Sequence, residues 1–125
     1  MKQLSNFIKI MPLSDFTSFD GTNMSGSSVP DLIQSTNDLQ FEELPQYSAP
    51  GVIYNQSLSL ITTGKLSDAQ RKKYSRRRPV VVLVYDENGV ASLWGNDDER
   101  VRITITPKTD RDILELDRKA TTPLF

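Results

Sequence analysis

Residues 78–105 read RPVVVLVYDENGVASLWGNDDERVRITI, and this stretch decides the fold. Pro79 to Tyr85 is a continuous apolar run rich in β-branched residues, which pack well on a pleated surface. Asp86-Glu87-Asn88-Gly89 is a turn, because Asn and Gly tolerate the positive φ of a tight hairpin. Val90 to Trp94 then reads as a second strand. After the polar loop Gly95-Asn96-Asp97-Asp98, Val101 to Ile105 reads as a third, with Val101, Ile103 and Ile105 inward.

Working outward, residues 52–62 alternate most clearly. Val52, Tyr54, Leu58 and Leu60 share one face, interrupted by Gln56, and a mostly polar set shares the other. Such a strand runs about 35 Å at ~3.3 Å per residue, long enough to pass the core and reach a neighbour. Leu66-Ser67-Asp68-Ala69-Gln70 starts a helix, with Ser67 and Gln70 spaced for a capping box and Asp68 at the positive end. The helix spans about 67–77, since Pro79 forbids continuation. The connection from residue 62 to residue 80 is about 17 residues, long enough for a right-handed parallel crossover. Residues 112–119 read as a strand or a short helical piece, with Leu114 and Leu116 at strand spacing.

Toward the N-terminus, residues 5–11 read as a short strand closed by Pro12, and residues 39–44 as a short edge strand. Pro45 and Pro50 bracket an extended segment. Residues 13–38 carry turn chemistry and few apolar groups, so they are expected to be ordered by neighbouring subunits. The expected architecture is mainly β, β-sandwich-like or a mixed sheet that is mostly antiparallel, with one flanking α-helix. Residues 1–50 are expected to form an extended arm with short strands, and residues 51–125 a β-rich domain.

Composition narrows the function classes. The 125 residues include no Cys and no His, which removes thiolate chemistry, disulfides, and the commonest general base and metal ligand. No apolar run approaches the ~18 residues of a membrane span. The N-terminus lacks an unbroken apolar segment, so a signal peptide is not expected and the chain is expected to be made inside the cell. Net charge is −1 but segregated: residues 65–78 hold seven bases against Asp68, while both flanks are acidic. The basic set of Lys65, Arg71, Lys72, Lys73, Arg76, Arg77 and Arg78 reads as a solvated helix face, a joint with an acidic subunit, or a phosphate contact. No aromatic stacking platform beyond Tyr74 accompanies it.

Three other groups bear on function. Asp97-Asp98-Glu99 lacks the alternating ligands of a calcium loop and reads as a solvated turn. Asp110, Asp112, Glu115 and Asp117 offer carboxylates, but flanking Leu114 and Leu116 they read as an exposed strand face. Trp94 reads as core or as an interface anchor, and Leu124-Phe125 as a plug into a partner. No phosphate loop, nucleophile elbow or metal spacing is present, and no cofactor is expected.

The order of features in residues 51–95 resembles small virion proteins from the tail or head–tail neck of tailed phages and prophages. The residues that carry it are Gly51-Val52-Ile53-Tyr54 opening the long strand, the capped helix, Val80 to Tyr85, Asp86-Glu87-Asn88-Gly89 and Leu93-Trp94-Gly95. Thr121-Thr122-Pro123-Leu124-Phe125 is similar in style. The resemblance implies a β-sandwich-like subunit repeated in a ring, with arms clasping neighbours and no catalytic residues. Partners would be further copies and other virion proteins. A small nucleic-acid-binding or regulatory module using residues 65–78 is the alternative.

Overall fold

The computed structural model describes residues 4–36, 39–74 and 78–124. In chain order the elements are β1 (Leu4–Pro12), a 3-10 turn (Leu13–Asp15), β2 (Phe16–Phe19), β3 (Met24–Gly26), β4 (Asp31–Gln34), β5 (Gln40–Ser48) and β6 (Gly51–Ile61). They continue with α1 (Asp68–Lys73), β7 (Pro79–Asp86), β8 (Ala91–Trp94), β9 (Val101–Pro107) and β10 (Asp112–Ala120). The protein is mainly β with one short helix.

One sheet runs in the order β4-β1-β7-β9-β10-β6-β5, with β8 also on β7, and its paired strands are antiparallel. The sheet curls until its ends meet. Ser35, just past β4, bridges Thr62, just past β6, and Thr36 N–H donates to the Ile61 carbonyl at 2.9 Å. The path β6-β10-β9-β7-β1-β4 is thereby closed, and β5 continues from the bridge along the same edge of β6, its other edge unpaired by any strand among the described residues.

β8 and β9 act as one interrupted strand. Val82 to Tyr85 of β7 pair with β8, and Pro79 and Val80 pair with β9. Between them residues 95–100 loop out. Gly95 opens the excursion at φ +107°, a left-handed conformation that favours glycine. Asn96 Oδ1 accepts from the Asp98 and Glu99 N–H groups at 3.0 and 2.7 Å.

β7 reads as an unbroken apolar run because both its faces are covered. Val80, Val82 and Val84 point into the closed core with Ile8, Ile10, Leu58, Leu60, Ile103, Leu114 and Leu116. Val81, Leu83 and Tyr85 point outward, under Met11 and Met24 and the flanking Phe7, Phe16 and Phe19. Each such burial contributes roughly 1.5–3 kcal/mol.

Three expectations are corrected here. The expected N-terminal arm contributes instead to the closed sheet, where β1 sits between β4 and β7 with Ile8, Ile10 and Met11 fully buried. The β2–β3 hairpin, in the stretch expected to need a neighbour, finds its cover on the outer face of β7. The crossover from β6 to β7 is not parallel: along the path the two strands run in opposite directions, separated by β10 and β9.

Candidate functional site

The β5–β6 hairpin is the element that the closed sheet does not absorb. Its strands pair from Gln40↔Ser59 to Ser48↔Gly51. β10 supports β6 only as far as Tyr54, opposite Ala120. Beyond that point the hairpin stands clear, with Tyr47 and Ile53 77% and 41% exposed, and Leu44, opposite Asn55 at the base of the clear part, is 62% exposed. Leu44 and Ile53 lie on its outer face, Tyr47 and Val52 on the inner, so apolar groups show on both sides. Residues 44–64 contain no charged residue. The over-long strand pattern pointed to this feature, but the charge-free run is the sequence signal that goes with it.

The hairpin is held at its base by a buried polar chain. Gln56, the residue that interrupts the apolar alternation, is 1% exposed. Its Oε1 accepts from Trp94 Nε1 at 2.8 Å, and its Nε2 donates to Glu43 at 2.7 Å across the hairpin. Glu43 also accepts from the Leu124 N–H at 2.8 Å. Below it Arg118, nearly buried, pairs with Glu99 at 3.4 Å, and Glu99 accepts from the Thr121 N–H at 2.5 Å. Burial lowers the Arg118 pKa from its ordinary value, and the Glu99 charge opposes that shift.

Trp94 is therefore not an interface anchor. It is fully buried, edge-on to Phe41 with ring centroids 5.2 Å apart. An indole needs one acceptor when buried, and Gln56 supplies it. Leu124 is also directed inward: it is partly buried against the core rather than presented as a free plug. Phe125 lies outside the described residues.

The basic stretch is largely engaged within the chain. Ser67 caps α1 with the expected box: Gln70 N–H donates to its Oγ, and Gln70 Oε1 accepts from the Ser67 N–H. Arg71 pairs with Asp68 at 2.8 Å and Lys73 with Asp31 at 3.0 Å. Arg78 Nη1 donates to the Lys73 carbonyl at 2.8 Å, beside the helix C-terminus. Lys72 is exposed and also has a partner interaction. Arg76 and Arg77 lie outside the described residues. Tyr74 fixes the helix to the barrel, donating from its buried hydroxyl to Asp31 and lying 3.2 Å from the Ile10 carbonyl oxygen. Burial, then the Asp31 hydrogen bond and charge, push the Tyr74 pKa above its ordinary 10.0.

The acids at 110–117 are not brought together. Asp112 is fully buried, accepting from the Leu66 N–H at 2.8 Å with Lys65 at 3.8 Å. Glu115 and Asp117 lie on the opposite face of β10. Among the described residues no group of three or more acids is placed to hold a metal, and no helix is long and apolar enough to cross a membrane.

A second feature sits beside the hairpin. A groove of about 580 Å³ opens on the outer face of β5, β6 and β10, lined by Gln40, Glu42, Ser57, Ser59, Ile61 and Ile113 among others. It lies at the Gln40↔Ser59 end of the hairpin, away from the tip. Comparison with protein-family models, with curated proteins and with solved structures yields no match to this chain.

Proposed function

We propose that this protein is a non-enzymatic structural subunit of a symmetric assembly, built into the tail or head–tail neck of a tailed-phage virion. The observation that carries the assembly reading is the hairpin tip. A closed sheet with a filled core has no need of a strand pair that overshoots it, and an uncharged tip with apolar groups on both faces is stable when covered by protein. The virion setting rests on the resemblance of residues 51–95 described above.

Geometry also favours a repeating contact. The tip and α1 follow opposite ends of β6, so the subunit has two chemically unlike ends. Unlike ends joined head to tail form a ring or a filament. The nucleic-acid alternative loses support, because Arg71, Lys73 and Arg78 have partners within the chain.

Light scattering on the purified protein across concentration and salt tests this. The expected result is a discrete oligomer that persists in high salt, since apolar contacts are not screened. The triple change Leu44→Ser, Tyr47→Ser and Ile53→Ser should give a monomer with an unchanged circular dichroism spectrum. A wild-type monomer at every concentration, or a triple variant that keeps the oligomer, overturns the self-assembling reading.

A further inference from the structure

We infer that the β5–β6 hairpin tip of one copy seats in the β5–β6–β10 groove of the next copy. This rests on the assembly reading and names its two surfaces.

The first argument is chemical fit. The tip offers aliphatic groups, the Tyr47 ring and the uncharged polar side chains of Gln46 and Ser48. The groove has an apolar floor in Ile61 and Ile113, with hydroxyls and an amide from Ser57, Ser59 and Gln40. Among the described groove residues Glu42 carries the one charge, and the uncharged tip does not oppose it. The groove volume of about 580 Å³ suits a few side chains, within the usual range of ~300–1,000 Å³ for a binding pocket.

The second argument is placement. Tip and groove occupy the two ends of the same hairpin, Ser48↔Gly51 at one and Gln40↔Ser59 at the other. Eight residues along β5 separate them by about 26 Å at ~3.3 Å each. The patches do not overlap, so one copy can give its tip and receive another's at once. That is a heterologous contact, and it repeats.

The third argument concerns other occupants. Addition of a strand to the free edge of β5 is discouraged by Pro45, which has no N–H to donate, and by Glu42 and Glu43. A membrane surface would call for a cluster of cations around the tip, whereas the exposed cation Lys119, opposite Asn55 at the tip's base, stands beside the acids Glu42 and Glu43. Nucleic acid would call for cations in the groove, which is bordered by Glu42 and, opposite Ser59, Glu115.

The absence of cysteine makes the test clean. Copies carrying Tyr47→Cys are mixed with copies carrying Ser59→Cys and oxidised. The expected product is a mixed disulfide dimer, in excess over that from Tyr47→Cys with Glu87→Cys, an exposed turn position outside the groove. Ser59→Lys, on the exposed face, should weaken self-association by about tenfold or more, a loss of ~1.4 kcal/mol or more, with the circular dichroism spectrum unchanged. A wild-type oligomer without the selective 47–59 cross-link overturns the docking and leaves the assembly reading standing. A preferred 47–47 cross-link overturns it in favour of tip-to-tip contact. A wild-type monomer at all concentrations overturns both.

Discussion

Replacing Gln56 by leucine tests whether the buried polar chain holds the base of the hairpin. The swap keeps the volume close and removes the hydrogen bonds of the Gln56 side chain, the short ones to Trp94 and Glu43 and the long ones to Arg118 Nη1 and the Thr122 carbonyl at 3.5 and 3.4 Å. Trp94 Nε1 loses its 2.8 Å acceptor at a position with no solvent access, which costs about 1–3 kcal/mol. Glu43 loses the 2.7 Å donor, a charge-assisted bond of about 1.5 kcal/mol at the low end because Glu43 is partly exposed. Burying leucine rather than an amide returns on the order of 1 kcal/mol. The expected net loss is therefore about 1.5–3.5 kcal/mol. Trp94→Phe removes the same indole bond from the other side, leaving Gln56 Oε1 with Arg118 Nη1 at 3.5 Å. The two changes share one bond, so the double variant should be more stable than the sum predicts by about 1 kcal/mol. Urea unfolding followed by far-ultraviolet circular dichroism gives all four stabilities, and the fluorescence of the single tryptophan gives an independent transition wherever Trp94 is retained. A Gln56→Leu protein within about 0.5 kcal/mol of wild type, or a cycle additive to about 0.3 kcal/mol, would refute the reasoning.

Two further outcomes follow from single residues. Tyr74 is held neutral in the folded chain, with its pKa raised above the ordinary 10.0, so the folded state binds the phenol proton more tightly than the unfolded one. Its contribution is fully present below pH 10 and falls as pH rises beyond it; unfolding free energy measured from pH 8 to 11 should drop less steeply in Tyr74→Phe than in wild type. Gly95→Ala should cost about 1–3 kcal/mol by thermal unfolding, because a Cβ there meets the Val80 carbonyl oxygen at 3.0 Å and Val101 Cγ2 at 3.1 Å on a backbone with φ +107°. An unchanged transition temperature would mean that the loop after β8 relaxes freely.

What the sequence displayed was the local periodicity. The alternation in residues 52–62, the β-branched run in 79–85 and the Ser67/Gln70 box each set their own element, because each depends on neighbours a few residues away. The closure did not show, since Ser35 and Thr62 give no mark of being partners across the seam. β1 was legible as a strand but not as a central one. Its company, β4 and β7, is set by long-range register. Residues 13–38 read as short of packing because the outer face of β7 that Phe16 and Phe19 cover comes over sixty residues later. The basic stretch was misleading as a free surface for the same reason. Asp31, which meets Lys73 and Tyr74, stands about forty residues away.

Gln56 links these levels. In an alternating strand a buried amide is an interruption, and in a closed sheet it would be a cost without the indole on one side and Glu43 on the other. Those bonds connect the core directly to the hairpin base, where the Glu43↔Gln56 pair lies two positions short of Tyr54, the last residue of β6 that β10 supports. A tip anchored in this way loses less conformational freedom on docking than a loose loop of the same length, so more of the apolar contact is available for association. The polar chain thus has two expected effects from one set of contacts: it stabilises the fold, and it holds the tip in the posture that a neighbouring groove receives. Loosening it with Gln56→Leu should weaken self-association even though residue 56 itself touches no partner.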